Sequence, residues 1–230
     1  MNHLIIGAGE VGRALQKILK PRHKIIVRDK KGSLLGSFEV LHIAYPWTKN
    51  FQKDTKKYIA EYSPKLVIIH STVPVGTTRK IGEGAVHSPI FGPHPNLEKG
   101  IRTFVKYFGG KKAKEAAVVF SKLGIQTKSF PKPETTELLK LLDTAYYAWN
   151  IIFAKEVARI CKEQELDFDE VYTTPNASYN EGYKKLGKPN VIRPILQPIR
   201  GPIGGHCVIP NAEFFDDWLT RTIRKRNTTY

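Results

Sequence analysis

The stretch NHLIIGAGEVGRALQKILK, residues 2–20, decides how the rest of the chain is read. It opens with a short apolar run, turns on glycines, and continues with Val11, Leu15, Ile18 and Leu19 at the three-and-four spacing of an amphipathic helix. Strand, tight turn and helix in that order begin a βαβ unit. Gly7, Gly9 and Gly12 place G-x-G-x-x-G at the junction. The first glycine permits the turn, the second lets backbone approach a pyrophosphate, and the third lets the helix pack on the strand. Glu10 and Val11 start the helix, whose amides and dipole favour phosphate charge. Asp29 ends the next apolar run, HKIIVRD (23–29), where a carboxylate takes the adenosine ribose hydroxyls and repels a 2′-phosphate. The spacing therefore implies NAD as cofactor, with Arg28, Lys30 and Lys31 around Asp29 working against the discrimination.

Outward from this unit, FEVLHIAYP (38–46) and PKLVIIHSTVP (64–74) read as third and fourth strands, with the helical pattern FQKDTKKYIAEY (51–62) between them. GAVHSPIFGPHP (84–95), TFVKYFGG (103–110) and GIQTKSF (124–130) read as further strands, and KKAKEAAVVFSKL (111–123) as a helix. Nearly continuous apolar strands separated by helices mean a parallel sheet covered on both faces. The fold class is α/β: a Rossmann-like, doubly wound parallel sheet followed by a smaller helical domain. The domains expected are 1–131, dinucleotide-binding, and 132–230, helical. One long central helix is read over 133–166, its apolar stripe being Leu138, Leu142, Ala145, Trp149, Ile152, Phe153, Val157 and Ile160. Two more helices are read in DFDEVYTTPNASY (167–179) and AEFFDDWLTRTIRKR (212–226).

The 230 residues include two cysteines and carry a net charge of +16. Two distant cysteines, no signal-peptide pattern and no bilayer-length apolar run point to a soluble, cytoplasmic protein with free thiols and no membrane partner. Lysines scattered in pairs read as a solvated surface, and only RTIRKRN (221–227) is a dense basic run. No nucleic-acid-binding signature accompanies it, which argues against a nucleic-acid partner. No metal site is read.

In a doubly wound sheet, ligands lie outside the carboxyl ends of the strands. Tyr45, Pro46, Ser71, Thr72 and Val73 are therefore candidates to line the cofactor site, although Ser71 and Thr72 also suit strand-end turns. Cys207 follows Gly204, Gly205 and His206 on a bare backbone, yet cysteine is also a common buried hydrophobe. Cys161, on the apolar stripe of the long helix, is read as structural.

HSTVPVGTTRKIG (70–82), ELLKLLDTAYYAWNIIFAKEVARIC (137–161) and GPIGGHCVIPNAEF (201–214) together resemble the nucleotide-sugar 6-dehydrogenases that act on UDP-glucose, GDP-mannose and UDP-N-acetylmannosamine. The resemblance runs through almost the whole chain in the same order, and its last two motifs are specific to that family. It implies an NAD-dependent enzyme that oxidises a primary alcohol to a carboxylate, on a small, anionic or sugar-like substrate, as a homodimer built on the long helix. By position, Cys207 corresponds to the nucleophile and Lys140 to the lysine that stabilises oxyanions. Asn150, His94, Gly204, Gly205 and His206 fall at substrate positions, His206 suiting equally a cap on its own loop. Chemically, a thiolate adds to the aldehyde of the first oxidation, the thiohemiacetal is oxidised to a thioester, and water releases the acid. A nearby cationic lysine stabilises the tetrahedral states. Lys140 also suits a surface pairing with Asp143 or Glu137.

Departures accompany the matches. Asn211 stands where the family carries an aspartate, and an amide cannot act as a base. Thr144 replaces an asparagine, and Ile90 replaces an acid after the fifth strand. HSPIFGPHPN (87–96) instead slightly resembles a motif of the prephenate dehydrogenases, a related fold that oxidises without a covalent intermediate. The chain stops where the family begins a further Rossmann-like domain. Two other readings stay open: a catalytically impaired NAD-binding sensor or scaffold, and a simple alcohol or hydroxyacid dehydrogenase.

Overall fold

The computed structural model describes residues 1–29, 34–205 and 207–230. The chain divides into two compact units, Met1–Lys140 and Leu141–Tyr230.

In the first unit, the apolar runs form the strands read from sequence: β1 (Asn2–Ile6), β2 (Lys24–Arg28), β3 (Val40–Ile43), β4 (Leu66–Ile69), β5 (Ala85–His87), β6 (Lys106–Gly109) and β7 (Thr127–Phe130). Their order in the sheet is β2-β1-β3-β4-β5-β6-β7. Every neighbouring pair is parallel except β5 and β6, which run antiparallel. The sheet is thus mixed at one point. β3 and β4 are buried at every position, as strands covered on both faces must be.

Helices α1 (Glu10–Leu19), α2 (Phe51–Tyr62), α3 (Thr77–Ile81), α4 (Leu97–Thr103) and α5 (Ala113–Ser121) join the strands. The alternation of side chains splits the core into two layers. Ile5, Val40 and Ile68 meet Leu15, Ile18 and Phe120 in one layer, while Leu4, Leu41 and Val67 meet Phe51, Tyr58 and Tyr62 in the other. Each fully buried Leu or Ile contributes about 1.5–3 kcal/mol of transfer free energy. Strand order reverses about β1, so its carboxyl end opens on the switch point where such sheets bind ligands.

The long helix α6 spans Pro133–Glu163, and the division between the units falls inside it. In the second unit a π-helical turn, Asp169–Thr173, runs into α7 (Thr174–Lys185). Pro175 has no N–H to donate to the carbonyl four residues back, which explains why the α-helical ladder begins only here. The helix read over 212–226 is two helices, α8 (Val208–Glu213) and α9 (Trp218–Asn227). Asp217 breaks it, accepting from Leu219 N at 3.0 Å in a capping box with Thr220.

The apolar stripe of α6 is corrected. Leu142, Phe153 and Ile160 are exposed, and Ala145, Ala148, Ile151 and Ile152 face the core of the second unit, joining Ile203, Ala212 and Ile223. Cys161 is buried, as expected. The basic run is largely paired: Arg221 and Arg224 hold Asp216 at 3.0 and 2.6 Å, and Arg226 holds Glu156. Among the described residues, no helix is long and apolar enough to cross a membrane, and no group of three His, Cys, Asp or Glu side chains could hold a metal ion.

Candidate functional site

The glycine turn has the geometry its spacing implies. Gly7 adopts φ +112°, a left-handed conformation, and a Cβ there would lie 2.7 Å from the Ala44 carbonyl. A Cβ on Gly12 would lie 1.9 Å from the Gly7 oxygen, so helix and strand touch backbone to backbone. Gly9 differs: a Cβ there would meet nothing within 4 Å, because its face is open. Gly9 is also the N-cap of α1 and supplies no side-chain cap, so the first-turn amides of a ten-residue helix face outward without one. This open cradle at a helix N-terminus fits a pyrophosphate.

Asp29 follows β2 and is exposed. Arg28 beside it is drawn away, with Nη1 3.2 Å from Glu61 Oε1, a further bond to the Tyr62 hydroxyl, and its guanidinium over the Tyr58 ring at 5.4 Å. It is therefore held for Glu61 rather than for a 2′-phosphate. Lys30 and Lys31 lie outside the described residues.

Along the carboxyl edge, Ser71 Oγ donates to the Tyr45 carbonyl at 2.6 Å and ties two strand ends together. The Tyr45 ring turns into the apolar layer, its hydroxyl 2.6 Å from Thr55 Oγ1, and burial raises its pKa. Tyr45 thus meets the glycine turn by its backbone: its nitrogen would lie 2.9 Å from a Cβ on Gly7. Val73 is buried in that layer, Thr72 is half-buried and Pro46 is exposed. His94 Nδ1 bonds the Glu10 carboxylate, fastening the loop after β5 to the first turn of α1. Ile90 packs into the core.

Lys140 closes the first unit with its ammonium 4.6 Å from the centre of the Phe91 ring. Glu137, weighed above as its surface partner, is fully buried. Its carboxylate accepts from Gly76 N at 2.6 Å and Thr78 N at 2.8 Å, capping α3, and burial raises its pKa. The sequence carried one signal for this role, an acid on the long helix that a separate Gly-Thr-Thr turn could reach.

In the second unit, Cys207 is half-buried at the start of α8, and its carbonyl accepts from Asn211 N at 3.0 Å. Neither Cys207 nor Cys161 is in a disulfide. Gly205 takes φ +85°, and a Cβ on either Gly204 or Gly205 would meet nothing within 4 Å. His206 lies outside the described residues. Asn211 and Thr144 are both buried and meet directly, Asn211 Nδ2 lying 3.2 Å from Thr144 Oγ1. Asn150 Nδ2 donates to the Tyr146 carbonyl on its own helix at 2.8 Å.

The sheet order and glycine turn define a Rossmann-type unit, and the chain continues into a helical unit. Residues 134–218 match the profile of the central domain of the UDP-glucose/GDP-mannose dehydrogenase family. The UDP-N-acetyl-D-mannosamine dehydrogenase of Methanococcus maripaludis is 28% identical over 154 residues, covering 62% of this chain and 33% of that protein. The NDP-N-acetyl-D-galactosaminuronic acid dehydrogenase of Ralstonia nicotianae is 28% identical over 192 residues, 70% of this chain and 42% of that one. The structure of UDP-D-ManNAc dehydrogenase from Pyrococcus horikoshii superposes with a TM-score of 0.79 at 17% identity, over 99% of this chain and 68% of that one. The chain is thus similar to the nucleotide-sugar dehydrogenases, most specifically to their central domain over residues 134–218, and its matches span about a third to two fifths of these curated relatives.

Proposed function

We propose that the chain is an NAD-dependent dehydrogenase that oxidises an alcohol on a small, anionic, sugar-like substrate, the sugar 6-hydroxyl being the reaction of choice. The open face of Gly9 at the N-terminus of α1 carries this reading, and the match over residues 134–218 supports it. Gly7, Gly9 and Gly12 with the amides of Glu10 and Val11 would hold the pyrophosphate, and Asp29 the adenosine ribose. Bound there, NAD supplies a hydride acceptor.

The chain's own residues do the rest. Cys207, reached over bare Gly204 and Gly205, is the nucleophile that holds the substrate carbonyl first as a thiohemiacetal and then as a thioester. Lys140 is the cation for the developing oxyanion. Asn211 and Thr144 supply an amide and a hydroxyl but no base, so the water that opens the thioester gives its proton to another group or to solvent. A homodimer through α6 accords with the exposed Tyr146, Tyr147 and Phe153.

The test is incubation with NAD and a panel of UDP- and GDP-sugars, following reduced cofactor for the wild type and for Cys207→Ala. Turnover lost in the variant supports covalent catalysis. Turnover that survives removes Cys207 from the mechanism, and binding of NAD without turnover on any sugar would leave a sensor.

A further inference from the structure

Three histidines and one lysine form a continuous row inside the first unit. His3 on β1 sits in register with Val40, two residues before His42 on β3, and His42 sits in register with Ile68, two residues before His70 at the end of β4. Each step moves one strand across and two residues up, so all three rings project from the same face of the sheet. His3 Nδ1 lies 2.8 Å from His42 Nε2, and His42 Nδ1 lies 3.0 Å from His70 Nε2. His70 Nδ1 faces the Ser88 carbonyl at 3.1 Å and Lys106 Nζ at 3.4 Å. Lys106 Nζ also reaches the carbonyls of Ser88 at 3.3 Å and Pro89 at 3.5 Å. All four residues are at most 3% exposed, and Phe120 covers His42 and His70 edge-on. At the Lys106 end lies a cavity of about 10 Å³, roughly the space of one water molecule. At the other end, His23 stands over His3 with ring centres 4.4 Å apart, and His3 Nε2 and both His23 nitrogens are buried without a protein partner.

We propose that His3, His42, His70 and Lys106 form a proton relay across the first unit, in which the charge state of Lys106 sets the tautomer of all three imidazoles together. The argument is one of donors and acceptors. An ammonium has three hydrogens, and three acceptors surround Lys106 Nζ: two carbonyls and His70 Nδ1. Donation to Nδ1 requires the proton of His70 on Nε2, which then donates to His42 Nδ1, and so on to His3, whose Nε2–H points outward. Beside a neutral amine, His70 Nδ1–H instead donates to the Ser88 carbonyl at 3.1 Å, with Lys106 Nζ at 3.4 Å, and every ring then carries its proton on Nδ1.

Passing between the states moves one proton at each link. Lys106 gives a proton to His70 Nδ1, His70 Nε2–H passes to His42, His42 Nε2–H passes to His3, and His3 Nε2–H leaves towards His23. One proton exits, Lys106 becomes neutral, and each ring ends neutral. Burial makes this accessible near neutrality. It lowers the Lys106 pKa to about 7. Burial first, with neighbouring basic groups (His23 for His3, His3 for His42, Lys106 for His70) second, holds His3 at about 3 and His42 and His70 well below the ordinary range. The groups facing the row are His23, the N-terminal amine, Arg22, Lys122 and Glu39 at the His3 end, and His87 at the Lys106 end. The relay stands whether or not the chain oxidises a sugar.

The experiment is nitrogen-detected NMR of the full chain labelled on its histidine side chains, followed through neutral pH. His3, His42 and His70 should stay neutral and exchange their proton-bearing nitrogen together, at a single midpoint. Lys106→Met should hold all three in the Nδ1–H form at every pH. In His42→Phe, His70 should still follow pH and His3 should stop. Tautomers that do not change with pH in the wild type would overturn the relay, as would rings that charge separately, or a His3 that still switches in His42→Phe.

Discussion

Asn211 donates to Thr144 across the second unit at 3.2 Å, and both side chains are buried. Two of the three positions at which the sequence departs from the nucleotide-sugar dehydrogenase pattern are therefore one structural feature, the third, Ile90, lying in the core of the first unit. The amide and hydroxyl satisfy each other where a lone buried carboxylate would need its own compensation.

The pair gives the first prediction. Thr144→Val leaves the Asn211 amide without this acceptor and costs about 1–3 kcal/mol, the penalty of an unsatisfied buried polar group. Asn211→Leu alone costs a similar amount, and the double variant costs less than the sum of the two. Urea unfolding of the four proteins in a double-mutant cycle reads the coupling, expected at about 1 kcal/mol. Strictly additive losses would show that the contact contributes nothing.

Glu137 joins α6 to the turn before α3 through the Gly76 and Thr78 amides. Glu137→Ala removes a charged acceptor from two backbone donors and should destabilise by about 2–3 kcal/mol. Glu137→Gln keeps one carbonyl oxygen and should lose less. Burial raises the Glu137 pKa, so the folded state binds its proton more tightly than the unfolded chain. This contribution to stability is present in acid and falls as pH rises through the folded pKa. The Gln variant should lack that fall, which melting curves taken at several pH values would detect.

The buried histidines impose the opposite slope. His87 holds the Ser71 carbonyl at 3.1 Å and Thr136 Oγ1 at 2.9 Å, and burial lowers its pKa to about 3. Between about 3 and the unfolded value near 6.5, the unfolded chain binds the extra proton, so stability rises with pH across that window and is lost as the solution is acidified. Each such histidine adds at most about 1.4 kcal/mol per pH unit. His87→Gln should flatten the acid limb of unfolding free energy against pH, and an unchanged slope would show that His87 charges in place.

Much of this architecture is legible in the chain itself. The strands are apolar runs bounded by Gly, Pro and Asp, and the glycine turn needs no tertiary context to be read. What escaped is what depends on distant partners. Helices α3 and α4, with 5 and 7 residues, are too short to show a period, and α3 is capped by Glu137, some sixty positions away. On α6 the buried positions include Ala148, a small residue that a search for large apolar side chains passes over, while exposed Phe153 was read into the stripe. The break before α9 was signalled by Asp217 and Thr220 at capping-box spacing, within a run otherwise read as one helix. His3, His42 and His70 carry no motif, and only the strand register brings them into line.

The central claim, that the first unit holds NAD on its glycine turn, is tested most directly by titration calorimetry with NAD and NADP on the wild type and Gly9→Val. A Cβ at Gly9 meets nothing in the protein, so the variant should keep the wild-type melting temperature while its branched side chain occupies the open cradle. The account predicts saturable binding that prefers NAD through Asp29 and weakens at least about tenfold in Gly9→Val, a loss of about 1.4 kcal/mol. No binding by the wild type, or equal affinity in a folded Gly9→Val, would contradict it.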